Sequence, residues 1–230
     1  MAFFHQPGER QPFLRAPVAV LLLIALLFAI EAARHFLFRE AAPELFLQWG
    51  FVPARYAPGF WLGGNLFERA APFVTYMFLH ADWTHVAVNS IWLLPFGSLL
   101  VRRYGTPLFL VFFLLCGIIG ALVHLALNWG STSPVIGASA AVSGLMGAAF
   151  RMMPHGPHAP LQPLFSRPVL LWSAVWIALN VFAGVTGFGT GAGVHLVAWQ
   201  AHIGGYFAGL LLAGPFDIWH NRKRLIRSPA

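Results

Sequence analysis

Six long runs of apolar residues, separated by short segments rich in proline, glycine and arginine, dominate this sequence. A helix needs about 20 apolar residues to cross a bilayer, and hydrocarbon offers the backbone no partner outside a helix or a closed barrel. Only 9% of the 230 residues are charged, whereas soluble domains have about 25%. The sequence therefore predicts an all-α membrane protein, a bundle of six transmembrane helices.

The boundaries of the six spans follow from prolines and glycines. We predict spans at residues 17–38, 81–101, 106–129, 139–153, 168–185 and 195–216. The first span follows Arg10 and Arg15 as a signal peptide would, but no small-residue cleavage site follows it, so we interpret it as a retained helix. The chain then divides into a short cytoplasmic N-terminus (1–16), a membrane domain (17–216) and a basic cytoplasmic tail (217–230).

The basic residues indicate how the helices are oriented. Three arginines in the long first loop break the pattern, but ten of the 14 lysines and arginines lie on one side of the predicted bundle: Arg10, Arg15, Arg102, Arg103, Arg151, Arg167, Arg222, Lys223, Arg224 and Arg227. Cytoplasmic loops are rich in lysine and arginine, so we predict that both termini are cytoplasmic, in a plasma membrane of the bacterial type. Arginines at span ends favour contact with membrane lipids over nucleic-acid binding.

Among the polar side chains within the predicted spans are His85, Asn89, Ser139 and His202. Ionisable groups are costly in hydrocarbon and therefore indicate a functional site. If the basic side of the bundle is cytoplasmic, spans two, four and six run from outside to inside. These four residues then fall in the outer half of the membrane, at a similar depth. A common depth in three helices predicts that they form one site.

Ser139 and His202 are a candidate nucleophile and general base. A serine hydroxyl needs a base to take its proton, and histidine suits this role because its pKa is near neutral. Of the seven acidic residues, Asp82 belongs to the outer rim and Asp217 to the inner end of span six. Neither is well placed behind His202, so the sequence favours a Ser–His dyad over a triad.

Groups that could stabilise an oxyanion accompany this pair. Ser139 opens a helix, so its backbone N–H has no acceptor within the helix. His85 and Asn89 are four residues apart and therefore share one helix face. Two rows of small residues would let spans four and six approach closely: Ser139, Ser143 and Gly147, and Gly205 and Gly209.

Each of these features has a simpler interpretation when it is taken alone. A Gly-x-Ser before a helix is usually a turn with an N-cap. His85 and Asn89 could form a hydrogen bond between helices, and Gly205 and Gly209 are most often a packing motif. The chain has no His-Glu-x-x-His helix and no cysteine pair, so we predict neither a metal nor a cofactor.

Taken together, three motifs resemble the rhomboid family of intramembrane serine proteases, and the resemblance covers essentially the whole chain. The motifs are His80-x4-His85-x3-Asn89, Gly137-Ala138-Ser139 and Ala201-His202-x2-Gly205-x3-Gly209. The resemblance implies a rhomboid-like bundle in which Ser139 is the nucleophile and His202 the general base. It also implies that His85, Asn89 and the Ser139 amide stabilise the oxyanion, and that the substrates are membrane proteins cut in or next to a transmembrane segment.

The chain departs from the family pattern at two positions near the serine. Ala140 stands where the family usually has glycine, and Ser143 stands where an aromatic residue is common. The tryptophan–arginine pair often found in the family's first loop is also absent. That loop, residues 39–72, is long and aromatic, and we expect short amphipathic helices at the membrane interface there.

Two other functions compete with proteolysis. A catalytically silent rhomboid-like protein would bind or escort membrane clients, but such a protein should have lost the serine or the histidine. A small transporter would need polar residues along a path through the membrane, whereas here they cluster at one depth. For a protease, we hypothesise that the uncharged, glycine-rich segment 186–193 is a mobile lid over the site.

Overall fold

The computed structural model describes residues 16–58, 65–153, 156–186 and 198–227, with the side chains of 222–227 excepted. This part of the chain is helical, with short 3₁₀ turns at Pro53–Tyr56 and Tyr76–Phe78. In chain order its α-helices are α1 (Val18–Leu37), α2 (Ala42–Trp49), α3 (Leu66–Ala70), α4 (Pro72–Thr75), α5 (Trp83–Tyr104), α6 (Thr106–Leu127), α7 (Ser139–Phe150), α8 (Arg167–Thr186) and α9 (Trp199–Arg227).

Six of these helices coincide with the six predicted spans. Among the described residues, α1, α5, α6 and α8 are long and apolar enough to cross a membrane. Helix α7 has 12 residues and ends at Phe150 rather than at Met153, while α9 continues beyond the predicted end at Phe216 to Arg227. A count of six crossings therefore remains a prediction from the sequence.

The short helix α7 lies at the centre of the bundle. Every residue from Ala140 to Phe150 is buried, and α7 packs against α5, α6 and α9. A helix enclosed on all sides must be apolar around its whole circumference, and small side chains let its neighbours come close. This explains why α7 is composed mainly of alanine and glycine.

Helices α7 and α9 touch backbone to backbone. A Cβ atom added at Gly205 would overlap the carbonyl oxygen of Ala140, and one at Gly209 would overlap that of Gly144. One added at Gly147 would overlap the carbonyl oxygen of Tyr206. The two helices can therefore lie this close only because these positions have no side chain.

The row of small residues on α7 differs from the one expected from the sequence. The backbone of α9 touches α7 at Ala140 and Gly144 rather than at Ser139 and Ser143, while Gly147 takes its expected place; Ser139 meets α9 through its side chain, at His202. The Ala140 methyl lies only 2.8 Å from where a Cβ of Gly120 would stand on α6. The absence of a side chain at Gly120 therefore makes room for the methyl that departs from the family pattern.

An ion pair joins the C-terminal turn of α5 to α9. Arg103 of α5 contacts Asp217 of α9, with 2.8 Å between Nε and Oδ1. The same guanidinium donates to the carbonyl oxygens of Pro157 and Ala159, each at 2.8 Å. Asp217 is thus engaged several turns along α9 from His202 and does not stand behind its imidazole, as the sequence had indicated.

The contact between α7 and α9 can be tested with two glycines of α9. Gly209→Ala should lower the free energy of unfolding by about 1–3 kcal/mol, because the new methyl forces the helices apart. Gly214→Ala is the matched control, since its Cβ would lie an ordinary 3.6 Å from Arg151. Equal unfolding free energies of the two variants in lipid bicelles would contradict this packing.

Candidate functional site

The predicted nucleophile and base lie in direct contact. The Oγ atom of Ser139, at the start of α7, is 2.6 Å from Nε2 of His202, in the first turns of α9. Both residues belong to the helices whose backbones touch through Gly205. The serine hydroxyl can therefore donate its proton directly to the imidazole, which is the first requirement of a serine nucleophile.

The backbone that leads into α7 is held by hydrogen bonds to the segment before α5. Gly137 N–H donates to the carbonyl oxygen of Tyr76 at 2.9 Å, and Ala138 N–H donates to Nε2 of His80 at 3.4 Å. His80 is almost fully buried. Burial lowers its pKa to about 3, so the ring is neutral and its Nε2 can accept. These bonds fix the residue that follows, Ser139.

The first loop also contacts the segment that leads into α7. Phe51 and Val135 form an isolated antiparallel bridge, with N–H to carbonyl distances of 2.9 and 2.8 Å. The Tyr76 hydroxyl in turn donates to the carbonyl oxygen of Gly117 on α6, at 2.7 Å. The loop contains short helices, as expected, and it also anchors the chain that enters α7. No sequence motif indicated this second role.

The imidazole of His202 has a second partner that sequence reasoning missed. Its Nδ1 atom lies 3.0 Å from Oδ1 of Asn180 on α8. The carboxylates are engaged elsewhere, since Asp82 accepts the backbone N–H of His85 at 2.8 Å and Asp217 pairs with Arg103. The sequence signal for this contact was the position of Asn180 in the middle of an apolar span. A polar side chain there usually bonds to a neighbouring helix.

His85 comes close to the backbone that carries the serine. A Cβ added at Gly137 would stand 2.7 Å from His85 Nε2 and 3.7 Å from Ser139 Oγ. Ala81 N–H donates to Nδ1 of the same ring at 3.4 Å. A neutral histidine whose Nδ1 accepts has its proton on Nε2, so an N–H donor faces the region beside Ser139.

Asn89 lies one turn further along α5 and is buried. Its Nδ2 donates to the carbonyl oxygen of His85 at 3.0 Å. An amide nitrogen has two hydrogens, so Asn89 keeps one N–H while holding this contact. His85 and Asn89 lie one helical turn apart on α5, and their roles towards a substrate stay a prediction.

An ion pair on α1 reaches towards the same region. Arg34 contacts the buried carboxylate of Glu31, with 2.9 Å between Nε and Oε2. The guanidinium also donates to the carbonyl oxygen of Ala81 at 3.1 Å. Ala81 is the residue whose N–H contacts His85, so α1 helps to hold the backbone that orients this imidazole.

The structure also shows His124 and the first residue of the proposed lid. His124 is buried on α6, where the Asn128 amide lies 3.3 Å from its Nδ1. The proposed lid at 186–193 begins at Thr186, the last residue of α8. Its other residues lie outside the described part of the chain, so the lid remains a hypothesis.

The position of His85 can be tested at Gly137, where φ is +114°. Gly137→Ala adds backbone strain and a methyl that meets the His85 ring, so we expect activity and stability both to fall. Gly130→Ala is the matched control, because its φ of +80° is also strained for a side chain but nothing lies within 4 Å of the new Cβ. If the two variants lose stability and proteolytic rate equally, His85 does not lie against Gly137.

Comparison with known proteins agrees with this architecture. Residues 68–216 match the Rhomboid domain family. "Rhomboid-like protease 3" of Toxoplasma gondii is 29% identical over 162 residues, covering 69% of this chain and 54% of that protein. "Rhomboid protease GluP" of Bacillus subtilis is 29% identical over 145 residues, covering 63% and 26%. The mitochondrial "Presenilin-associated rhomboid-like protein" of Bos taurus is 27% identical over 167 residues, covering 68% and 41%.

The family match spans more than half of the sequence, and this chain therefore belongs to the rhomboid family. It is an integral membrane protein, because it belongs to this family and its described residues include helices that are long and apolar enough to span a bilayer. The family contains intramembrane proteases and rhomboid-like proteins. The chain spans about half or less of the length of the curated relatives it matches.

Proposed function

We propose that this protein is an intramembrane serine endopeptidase that cuts membrane proteins in or next to their transmembrane segments. The observation that carries the proposal is the 2.6 Å contact between Ser139 Oγ and His202 Nε2. A buried histidine and a serine at a helix start are each common. Their direct contact across two closely packed helices is the arrangement that nucleophilic catalysis needs.

In the first half of the reaction, Ser139 Oγ attacks the carbonyl carbon of the scissile bond. The hydroxyl proton passes to His202 Nε2, and His202 then gives it to the nitrogen of the leaving amine. The products of this step are a free amine and an ester between the substrate and Ser139. In the second half, His202 takes a proton from water, the resulting hydroxide attacks the ester, and the proton returns to Ser139.

Both halves pass through a tetrahedral intermediate with a negative oxygen. The Ser139 amide, the Nε2–H of His85 and the free N–H of Asn89 are the donors that would stabilise it. Helix α7 begins at Ser139, so its N-terminal dipole also favours an anion there. Removing one such donor typically costs about 3–4 kcal/mol of transition-state stabilisation. These steps need neither a metal nor a cofactor.

The substrates would be proteins with a transmembrane helix that unwinds readily at the cleavage site. A hydrogen-bonded helix hides its carbonyl groups, so helix-breaking residues in the substrate would expose the bond. A small residue before that bond would suit the crowded start of α7. We further propose a bacterial-type plasma membrane with both termini cytoplasmic, since the basic residues favour that side.

Replacing the two central residues tests the proposal. Ser139→Ala and His202→Ala should each lower kcat by at least about 10⁴-fold, because nucleophile and base act as one unit. The measurement is cleavage, in proteoliposomes, of a single-pass model substrate with small and helix-breaking residues in its transmembrane segment.

The matched control is Ser143→Ala, which removes a buried hydroxyl one turn further along α7. This variant should cleave at the wild-type rate. Cleavage that survives Ser139→Ala would refute the proposed nucleophile. A purified wild-type protein that binds the model substrate without cutting it would instead favour the catalytically silent alternative.

A further inference from the structure

We propose that Asn180 is a positioning residue that holds His202 in the one tautomer able to accept the serine proton. The inference rests on the proposed protease function, which it deepens by adding a third helix to the site. Asn180 does not touch the reacting atoms. It acts through the imidazole, on the side opposite Ser139.

The orientation of the Asn180 amide is set by its own helix. Its Nδ2 atom donates to the carbonyl oxygen of Trp176 at 3.0 Å, one turn earlier on α8. This leaves Oδ1, which can only accept, at 3.0 Å from Nδ1 of His202. The histidine must therefore have its proton on Nδ1, and its Nε2 lone pair then faces the Ser139 hydroxyl.

The opposite tautomer would lose both contacts at once. With the proton on Nε2, two donors would meet at Ser139 unless the hydroxyl turned away, and two acceptors would meet at Asn180. A neutral histidine in that state cannot act as a base towards Ser139. The third group that orients a base is a general part of such sites, and a wrong tautomer alone can cost several orders of magnitude in rate.

The packing of α8 against α9 keeps this amide in place. Trp176 stacks on Tyr206 with 4.4 Å between ring centroids and 16° between planes. The Tyr206 hydroxyl also bonds to that of Ser173. Trp176 precedes Asn180 by one turn and Tyr206 follows His202 by one turn, so the stack lies beside the Asn180–His202 contact. The two helices are thus joined at two successive levels.

An amide suits this position better than the carboxylate of a conventional triad. A charged group at the level of the hydrocarbon is costly, whereas a neutral amide can accept the same hydrogen bond. The placement of Asp82 and Asp217 in other contacts agrees with this choice. The site then orients its base without burying a net charge beside it.

The test compares Asn180→Leu with Asn180→Asp. Leucine has a similar shape but no acceptor, so kcat on the model substrate and the rate of Ser139 labelling by a fluorophosphonate should fall roughly tenfold to a hundredfold. KM should not change. Aspartate keeps the acceptor while losing the bond to Trp176, so it should restore much of the rate.

A spectroscopic measurement distinguishes positioning from loss of structure. In ¹⁵N NMR spectra, His202 of the wild type and of Asn180→Asp should show a protonated Nδ1, while Asn180→Leu should show a mixture of tautomers. Leu179→Ala is the control on α8, since the Leu179 side chain is 62% exposed. It should label at the wild-type rate.

The outcomes separate this inference from the proposed function. If Asn180→Leu labels at the wild-type rate while Ser139→Ala does not label, the inference is wrong and the protease remains. Equal loss of rate in Asn180→Leu and Asn180→Asp, with unchanged His202 spectra, would also overturn it. Labelling that survives Ser139→Ala refutes the proposed nucleophile, and the ¹⁵N spectra then still report whether Asn180 sets the tautomer.

Discussion

The backbone contact between α7 and α9 is the constraint on which the rest of the structure depends. Gly205 and Gly209 lie against the backbone of Ala140 and Gly144, and this closeness brings Ser139 within 2.6 Å of His202. A side chain at either glycine would overlap the backbone of α7 and force the two helices apart. In lipid, no hydrophobic effect drives helices together, so such packing must do so. The same residues therefore determine both the fold and the site.

The other elements orient what this contact brings together. Helix α6 makes room for Ala140 through Gly120, and the first loop holds the chain that enters α7 through the bridge between Phe51 and Val135. Helix α1 reaches Ala81 through Arg34. Helix α8 supplies an amide to the far side of His202. Each contact holds a backbone segment or a ring of the site in place.

Much of this could be predicted because the membrane restricts what a sequence can form. Apolar runs gave the long helices, and polar interruptions at one depth led to Ser139 and His202. The contacts between distant segments could not be predicted in the same way. Asn180 has no motif, and its partner lies on another helix. Two of the three α7 positions that touch the backbone of α9 were assigned one residue away, because the helical period alone does not say which face meets which neighbour.

A structure of the protein after reaction with a fluorophosphonate in lipid would test the central claim most directly. The account predicts phosphorus bonded to Ser139 Oγ, with the phosphonyl oxygen within hydrogen-bond distance of the Ser139 amide and of His85 or Asn89. His202 should keep its contact with Asn180. Phosphorus on any other residue, or a phosphonyl oxygen directed away from these donors, would contradict the account.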